Sequence, residues 1–381
     1  MRVILCEFGP DGGPCLFRDP DELLVIERPE EVAAALDLLD ARRRAGAWIA
    51  GYLSYELGYA LEPALAPLMP EDRRVPLLAF GVYDRPLPAP PLPAPSLSTE
   101  QVRLAPLRPM ISQADYARAF ARTRDYIAAG DCYQINLTFP LASRLLSGSP
   151  AQLYAALSAH QPVGFGAFVD LGAGPAILSR SPELFFRLDA DGRIEAQPMK
   201  GTAPRDPDPV RDAALAAGLA ASEKDRAENL MIVDLLRNDI GRISRLGSVR
   251  VPELFAVESF ATVHQMTSRV LGRLARPADF GGLLRALFPC GSITGAPKIR
   301  AMQIIREVEP FPRGVYCGSI GWMAPDGAAC FSVAIRTLTV WPDGEVVLNV
   351  GGGVVQDSTA SGEWEEALWK ARYAQVLTNP A

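Results

Sequence analysis

Apolar and polar positions along this chain follow two periods, which predict its helices and its strands. Apolar residues at helical spacing predict helices at residues 30–44, 112–130, 212–236, 280–287, 296–308 and 362–377. Alternating or continuous apolar runs predict strands at residues 48–57, 132–141, 166–171, 184–188, 315–323, 331–340 and 345–350. Helices and strands do not alternate strictly, so the order favours an α+β fold of antiparallel sheets covered by helices over a regular βαβ sheet.

Proline is concentrated in residues 84–109 and interrupts both periods there. Because proline has no backbone N–H to donate and fixes φ, this stretch is not expected inside a helix or a sheet. We predict a linker or an extended strap on the surface. It divides the chain into an N-terminal region, residues 1–97, and a larger region, residues 98–381.

Composition narrows the class of protein. Hydrophobic residues make up 49% and charged residues 22% of the chain, as in soluble globular proteins. The formal net charge of -6 argues against a nucleic-acid partner, which needs clustered Lys and Arg. No apolar run reaches the ~20 residues of a membrane span, so no membrane association is expected. Glu7 interrupts the first apolar run too early for a secretory signal.

The six cysteines are scattered and form no C-x-x-C pair. This spacing argues against zinc clusters and thioredoxin-like redox sites. Reduced thiols are the default in the cytoplasm, which is where we expect this protein.

Two segments carry polar residues that could do chemistry. Alternation places Gln134, Asn136 and Thr138 on one face of a strand, where a polar face in water remains an alternative. Glu183 precedes three apolar residues, a setting that can raise the pKa of a carboxyl group and suit it to acid catalysis. Lys200 lies between a methionine and a glycine. An apolar wall around its side chain would keep the amine neutral and nucleophilic. The alternative is that Lys200 is an exposed lysine in a turn.

Carboxylate pairs occur on two predicted helices. Asp225 and Glu228 are three residues apart and so share one helical face, and Glu363 and Glu366 repeat that spacing. Each pair alone is typical of a solvated helix face. Together they suggest a magnesium site, because magnesium is a hard cation that takes oxygen ligands and keeps several waters.

Further candidates lie in glycine-rich pieces and at two isolated residues. Residues 290–298 end in a helix start that could bind an anion, but they lack the spacing of a nucleotide-binding P-loop. The glycines at 351–353 would let the backbone approach a ligand. Arg336, on the predicted strand 331–340, can hold a carboxylate bidentately. By itself, His264 is more typical of a structural histidine.

These segments together resemble the chorismate-utilising enzymes, a family that includes anthranilate synthase component I, aminodeoxychorismate synthase component I, isochorismate synthase and salicylate synthase. The resemblance runs from about residue 112 to 377 and is strongest at residues 228–241, 288–302, 316–321 and 351–370. Residues 51–59 resemble the para-aminobenzoate synthases more weakly. The resemblance implies two stacked antiparallel sheets flanked by helices, with an N-terminal region and a chorismate-binding catalytic region.

The resemblance also implies a set of site residues. Magnesium would be held by Glu228 and Glu366, with Asp225 and Glu363 assisting mostly through water, and would bind the ring carboxylate of chorismate. The implied substrate-binding residues are Tyr316 and Arg336 at the enolpyruvyl carboxylate, Thr294, Gly201, Thr202 and Gly352 around the ring, His264 near the pyruvyl ether, and Lys370.

Two positions select among the branches of the family. Isochorismate and salicylate synthases carry a lysine base where this chain has Gln134, and glutamine cannot deprotonate water. Anthranilate synthases have alanine where this chain has Lys200. The sequence of residues 198–202 resembles the para-aminobenzoate branch, in which that lysine is a covalent nucleophile and Glu183 would be the general acid.

The resemblance therefore implies conversion of chorismate and ammonia to 4-amino-4-deoxychorismate. The chain shows no glutaminase segment of its own, so the ammonia would come from a glutamine amidotransferase partner. Two alternatives remain at this point: anthranilate synthase component I, and a scaffold protein that kept the fold but lost turnover. Intact Glu183, Lys200, Glu228 and Glu366 argue against the scaffold.

Overall fold

The computed structural model describes residues 2–89, 102–260, 263–277, 279–375 and 377–378. Its helices are α1 (Val32–Arg44), α2 (Leu57–Leu61), α3 (Gln113–Ala128), α4 (Pro150–His160), α5 (Pro209–Ala221), α6 (Glu223–Gly241), α7 (Phe280–Leu287), α8 (Lys298–Val308), α9 (Ala360–Lys370) and α10 (Arg372–Gln375). Among the described residues, no helix has the length and apolar character needed to cross a membrane.

The strands are β1 (Val3–Cys6), β2 (Cys15–Arg18), β3 (Glu22–Ile26), β4 (Trp48–Leu53), β5 (Leu78–Tyr83), β6 (Leu87–Pro88), β7 (Arg103–Leu104), β8 (Arg108–Pro109), β9 (Gln134–Ser147), β10 (Phe165–Asp170), β11 (Ala176–Ser181), β12 (Leu184–Leu188), β13 (Arg193–Gln197), β14 (Met199–Pro204), β15 (Arg250–Ser259), β16 (Val263–Arg273), β17 (Gly295–Ala296), β18 (Ser319–Met323), β19 (Ala329–Val333), β20 (Thr337–Val340) and β21 (Glu345–Val354).

These strands form two large sheets. The first sheet has the order β17-β9-β21-β20-β11-β10-β1-β2-β6, and β7 and β8 add to β9. The second has the order β14-β16-β13-β12-β19-β18-β4-β5-β3, and β15 adds to β16. The N-terminal strands enter both sheets, since β1 pairs antiparallel with β10 and β4 pairs antiparallel with β18. The predicted boundary near residue 97 lies outside the described residues.

Three apolar clusters hold the layers together. One contains residues of both sheets, such as Phe17 and Ile177 from the first and Ala50 and Ile320 from the second, so the sheets pack face to face. A second cluster joins the first sheet to α3, α4 and α9, and a third joins the second sheet to α1, α6, α7 and α8. This arrangement confirms the predicted α+β fold of two stacked antiparallel sheets flanked by helices.

The prediction of one strand at residues 331–340 is wrong. The segment forms two strands, of which β19 belongs to the second sheet and β20 to the first. The chain crosses between the sheets at Arg336, whose φ is 49°. Both strands are buried, so the apolar pattern continues through the crossing, and Arg336 lies on the crossover rather than on a strand.

Two predicted helices are each divided into two. The segment 212–236 breaks at Ser222, whose side chain accepts a hydrogen bond from the backbone N–H of Asp225 and caps α6. The segment 362–377 breaks after Lys370, where α9 ends. Three short pieces of the proline-rich stretch do pair with strands of a sheet, as β6 pairs with β2, and β7 and β8 pair with β9. These pairings involve two residues each, as proline permits at sheet edges; residues 90–101 lie outside the described residues.

Candidate active site

The edges of the two sheets meet at one cleft. β14 ends the second sheet, and β9 and β21 lie side by side near the end of the first. Lys200 on β14 faces across this gap: a Cβ placed on Gly353 of β21 would lie 3.2 Å from its Nζ and 2.9 Å from the Nε2 of Gln134 on β9. Helix α6 packs against β14 and helix α9 against β21, so the two carboxylate-bearing helices flank the same cleft.

Lys200 is the amine at the centre of this cleft. It is half-buried, so the alternative of an exposed turn lysine is wrong. It makes no hydrogen bond or ion pair with any residue that the structure describes. Burial lowers the pKa of Lys200, and the ammonium group of Lys370 lowers it further, against the opposing charges of Glu228, Glu183 and Glu366. The result favours a neutral amine, which is the nucleophilic form.

Glu183 is a buried carboxyl group next to this amine. It is 5% exposed, and the Ser292 hydroxyl donates a hydrogen bond of 2.6 Å to it. Burial raises the pKa of Glu183 to about 7, although the Ser292 hydrogen bond and the charge of Lys200 both act to lower it. A carboxyl group with this pKa can hold a proton near neutral pH, as a general acid must.

The carboxylates of α9 lie against the backbone of β21. A Cβ on Gly352 would be 2.7 Å from Oε2 of Glu363 and 3.9 Å from Oε1 of Glu366. Ser358 donates a hydrogen bond of 2.7 Å to Glu363, and Lys370 forms an ion pair of 2.8 Å with Glu366. Lys370 also donates to the carbonyl of Gly351 at 2.9 Å, which ties α9 to β21.

The carboxylates of α6 face those of α9. Burial raises the pKa of Glu228, and the negative charges of Asp225 and Glu366 raise it further. Burial likewise raises the pKa of Glu363, and the charge of Glu366 adds to that rise. The cleft therefore concentrates negative charge on oxygen donors that a hard cation would neutralise. In the described part of the chain, no group of three or more acidic, histidine or cysteine side chains is close enough to hold a metal by itself.

Gly201 connects the Lys200 strand to α6. Its φ of +80° lies in the left-handed region, and a Cβ there would come within 2.9 Å of the Asp225 side chain. Both constraints favour glycine. Thr202, the next residue, is exposed on the rim of the cleft.

Three of the predicted substrate residues lie deeper in the protein. Thr294 is fully buried, and its hydroxyl donates to the carbonyls of Cys290 and Gly291. Tyr316 is buried, and burial raises the pKa of its phenol, which therefore stays protonated and able to donate. Arg336 is half-buried, and its guanidinium makes no hydrogen bond or ion pair within the described ranges. A cation in this setting suits a carboxylate ligand.

The polar face of β9 is buried, so the alternative of a polar face in water is wrong. Gln134, Asn136 and Thr138 are 0%, 6% and 4% exposed. Both amide atoms of Gln134 are buried without a hydrogen-bond partner. An orphaned buried amide is costly, and its position beside Lys200 leaves it available to hydrogen-bond a water or a ligand there.

Comparison with known proteins now adds to this geometry. Residues 18–375 match the sequence model of a family described as chorismate binding enzyme. The chain belongs to this family. The match covers nearly the whole chain, including β3, β4 and residues 51–59, which the sequence alone tied only weakly to the rest.

Three relatives of this chain are named as component 1 of two different synthases. Aminodeoxychorismate synthase component 1 of Klebsiella aerogenes is 42% identical over 343 residues, covering 84% of this chain and 74% of that protein. The Escherichia coli K12 protein of the same name is 46% identical over 260 residues, covering 68% of this chain and 56% of that protein. Anthranilate synthase component 1 of Streptomyces coelicolor is 45% identical over 263 residues, covering 69% of this chain and 51% of that protein. The chain thus spans between half and three quarters of the length of these relatives.

A solved member of the family has the same architecture. Anthranilate synthase component I from Streptococcus pneumoniae superposes with a TM-score of 0.80 at 28% identity, covering 100% of this chain and 92% of that one. An isochorismate synthase, DhbC of Bacillus anthracis, has a TM-score of 0.77 at 21% identity and shows the shared fold.

Not every predicted site residue is brought to Lys200. His264 is bonded through Nδ1 to Ser259 at 2.8 Å and through Nε2 to Asp212 at 2.9 Å, so both ring nitrogens are occupied. Its role near the pyruvyl ether of chorismate stays a prediction. The adjacent Gln265 instead donates to the carbonyl of Gly201 at 3.1 Å.

Sequence reasoning missed one group at the site. Ser292, which donates a hydrogen bond to Glu183, gave no signal beyond its place in a glycine-rich segment. Gln134 was identified from the polar alternation on its strand and as a position that separates branches, but not as a substrate-binding residue.

Proposed function

We propose that this chain is the chorismate-aminating component of an aminodeoxychorismate synthase, converting chorismate and ammonia to 4-amino-4-deoxychorismate for para-aminobenzoate and folate synthesis. The observation that carries the proposal is Lys200: a half-buried amine of lowered pKa, without a partner, facing the family's substrate cleft. The longer match, 343 residues, is to a protein named aminodeoxychorismate synthase component 1, against 263 for the anthranilate synthase.

The proposed chemistry is a double displacement. The neutral amine of Lys200 forms a bond to C2 of chorismate, both ring double bonds shift by one position towards C4, and the C4–O bond breaks. Glu183 donates its proton to the departing hydroxyl, which leaves as water. Ammonia then forms a bond to C4, both double bonds shift back, and the bond from C2 to Lys200 breaks. The new amine at C4 returns a proton to Glu183. One covalent intermediate divides a difficult substitution into two easier steps.

The residues around the cleft would bind and orient chorismate. Arg336 and Tyr316 would hold the enolpyruvyl carboxylate through charge and a phenolic hydrogen bond. Around the ring and its substituents we place Gly201, Thr202, His264, Thr294, Gly352 and Lys370. Gln134 would supply its unpartnered amide to the substrate face nearest Lys200.

The donor set of α6 and α9 fits magnesium. Glu228 and Glu366 would hold the ion directly, with Glu363 and Asp225 acting through water, so chorismate and water would complete the coordination. Bound there, magnesium would neutralise the carboxylates and attract the ring carboxylate of the substrate. Lys370, paired with Glu366, would keep α9 in register with β21.

Removal of the metal is expected to lower turnover by about 100-fold or more. EDTA should abolish product formation, added magnesium should restore it, and Glu366→Gln or Glu228→Gln should lose most activity without unfolding. Glu365→Gln, at an exposed neighbour on the same helix, is the matched control and should behave as the unmodified enzyme. Full activity in metal-free buffer would contradict the magnesium assignment.

The source of ammonia is a second testable point. The name component 1 in the relatives supports a separate glutamine amidotransferase partner. We expect the purified chain to form 4-amino-4-deoxychorismate from chorismate, magnesium and ammonium salts, identified by mass spectrometry. Glutamine should replace ammonium only when the partner is added; glutamine-dependent turnover by the single chain would overturn the partner proposal.

Anthranilate synthase component I remains the second candidate, because the Streptomyces coelicolor relative of that name is 45% identical. The same product analysis separates the two, since anthranilate and pyruvate would appear in place of 4-amino-4-deoxychorismate. Lys200 argues for the first candidate, because the anthranilate branch resembles this chain but has alanine there.

A further inference from the structure

A network of buried polar groups lies beneath the cleft, and the proposed chemistry does not use it. Its centre is Arg313, which is 3% exposed. The guanidinium donates to the two carboxylate oxygens of Glu309 at 2.7 and 2.8 Å. It also donates to the carbonyl of Ile293 at 2.9 Å and to the carbonyl of Asn136 at 2.5 Å. Arg313 thus joins the end of α8, the turn before β17 and strand β9.

The N-terminal region reaches this network through one turn. Glu56, 1% exposed, accepts the backbone N–H groups of Arg313 at 2.7 Å and of Gly314 at 3.0 Å. The ring of Tyr55 lies against the Arg313 guanidinium, 4.4 Å from its Cζ, and the N–H of Tyr55 donates to the Gly314 carbonyl at 2.8 Å. Tyr55 and Glu56 belong to residues 51–59, the N-terminal motif that the proposed reaction leaves unexplained.

Two of the segments bound by Arg313 carry a proposed substrate residue. Ile293 directly precedes Thr294, and the carbonyl of Thr294 in turn accepts the N–H of Asn136 at 2.8 Å. Asn136 lies two residues from Gln134 on β9. The loop that begins at Arg313 continues to Tyr316.

We infer that Arg313, held by the Tyr55–Glu56 turn, is a positioning residue that fixes the Thr294, Gln134 and Tyr316 segments around chorismate. The inference rests on the proposed function, because it assigns these segments to the substrate. It gives the N-terminal motif a specific part in the site: the turn sets the backbone of the loop from which Tyr316 reaches the ligand.

A buried ion pair such as Arg313–Glu309 is better suited to positioning the substrate segments than to stabilising the fold. A buried ion pair often adds little net stability compared with apolar groups of the same volume, because both charges must be desolvated. Its geometry is nevertheless restrictive, since a planar guanidinium fork holds several acceptors at fixed angles. A displacement of ~1 Å at a reacting group can cost about 100-fold in rate, so a rigid support beneath the substrate has a large functional effect.

The chain contains a matched control. Arg43 is also buried, at 4% exposed, and it donates to the carboxylate of Asp40 and to the carbonyl of Pro325. Neither of these partners lies in a segment proposed to bind substrate. Shortening either arginine to lysine removes a comparable buried fork, but only the Arg313 change should disturb the cleft.

The test compares Arg313→Lys and Glu56→Gln with Arg43→Lys in the full chain. For each we would measure the thermal midpoint, kcat and KM with ammonium and magnesium, and the Kd of chorismate. Arg313→Lys and Glu56→Gln are expected to raise KM and Kd about tenfold or more, because the carboxylate grip and ring pocket lose register. Arg43→Lys should lower the thermal midpoint to a similar extent with KM and Kd unchanged.

Two results would overturn the inference. One is unchanged KM, kcat and Kd in Arg313→Lys and Glu56→Gln with only a lower thermal midpoint. The other is an equal rise in KM and Kd in Arg43→Lys, which would show a general effect of loosening the core. The Kd readout separates this inference from the proposed function: absence of 4-amino-4-deoxychorismate in the unmodified enzyme would refute the function, while the Kd comparison would still decide the positioning role.

A second pair of variants covers the case in which Arg313→Lys does not fold. Tyr55→Leu removes the ring beneath the guanidinium and should raise the Kd of chorismate. Tyr55→Phe keeps that ring and should restore binding close to that of the unmodified protein. Equal affinities in Tyr55→Leu and Tyr55→Phe, both folded, would contradict the role of the turn.

Discussion

Lys200→Ala is expected to lower formation of 4-amino-4-deoxychorismate by a factor on the order of 10³ or more, because it removes the group proposed to form the covalent bond to C2. The residual reaction should proceed by direct attack of ammonia at C2, which gives an anthranilate-type intermediate. The reason is structural: Lys200 is the unpartnered amine beside Gly353 and Gln134, and burial lowers its pKa towards the nucleophilic form.

Intact-protein mass spectrometry measures this directly. The unmodified chain, incubated with chorismate and magnesium but without ammonia, should accumulate an adduct. Peptide mapping can assign it, since the sequence holds four lysines: Lys200, Lys224, Lys298 and Lys370. Lys224→Ala, an exposed lysine on α6, is the control and should retain the adduct. Suppose that the unmodified chain forms no adduct and Lys200→Ala makes 4-amino-4-deoxychorismate at the rate of the unmodified chain. This result would refute the covalent step and remove the main argument against anthranilate synthesis.

The fold could be predicted from sequence where local signals and packing agree. Helix α3 begins at Ser112 because its side chain and that of Asp115 form a reciprocal capping box, a signal that the sequence shows directly. Helix α7, Phe280–Leu287, was predicted with its observed bounds because one face is strongly apolar. Such elements need no knowledge of their neighbours.

Prediction failed where the decisive fact is which sheet a strand joins. β19 and β20 are both buried, so a single apolar pattern runs through the crossing, and only tertiary structure shows that the chain changes sheet at Arg336. The break at Ser222 was hidden for a similar reason. Helical spacing continues from α5 into α6, and the side-chain cap on Asp225 is the local cause of the division.

The candidate site could likewise be predicted where local spacing decides, and could not be predicted where tertiary packing decides. The three-residue spacing of Glu363 and Glu366 placed both carboxylates on one face of α9, but spacing alone could not show that α6 faces them across a cleft. The burial of Gln134 depends on β21 lying beside β9, which no local pattern reveals. Ser292 reaches Glu183 from 109 positions along the chain, a distance at which one sequence gives no signal.

Glu183→Gln is expected to lower turnover by roughly 10²–10⁴, the range for loss of a general acid. The departing C4 hydroxyl needs a proton, and glutamine has none to give. In the unmodified enzyme kcat/KM should fall as pH rises through about 7, where Glu183 loses its proton. Ser292→Ala removes a hydrogen bond that lowers the pKa of Glu183, so this alkaline limb should move to higher pH. An alkaline limb that stays in place in Ser292→Ala would assign it to another group, such as Glu56, whose pKa burial also raises to about 7.

Stability provides an independent check on the same residue, because Glu183→Gln should raise relative stability at high pH although it lowers activity. Burial raises the pKa of Glu183 from 4.5 to about 7 in the folded chain. Between these pH values the unfolded chain releases the proton and the folded chain keeps it. The free energy of unfolding therefore falls as pH rises, by up to about 3 kcal/mol, and levels off above pH 7. Glu183→Gln cannot ionise and escapes this loss. Denaturant unfolding at pH 5 and pH 8 should therefore show the variant gaining stability relative to the unmodified chain as pH rises, while its turnover stays low at both. A difference in unfolding free energy that does not change between the two pH values would show that Glu183 has an ordinary pKa and is ionised at neutral pH, where it could not serve as the acid.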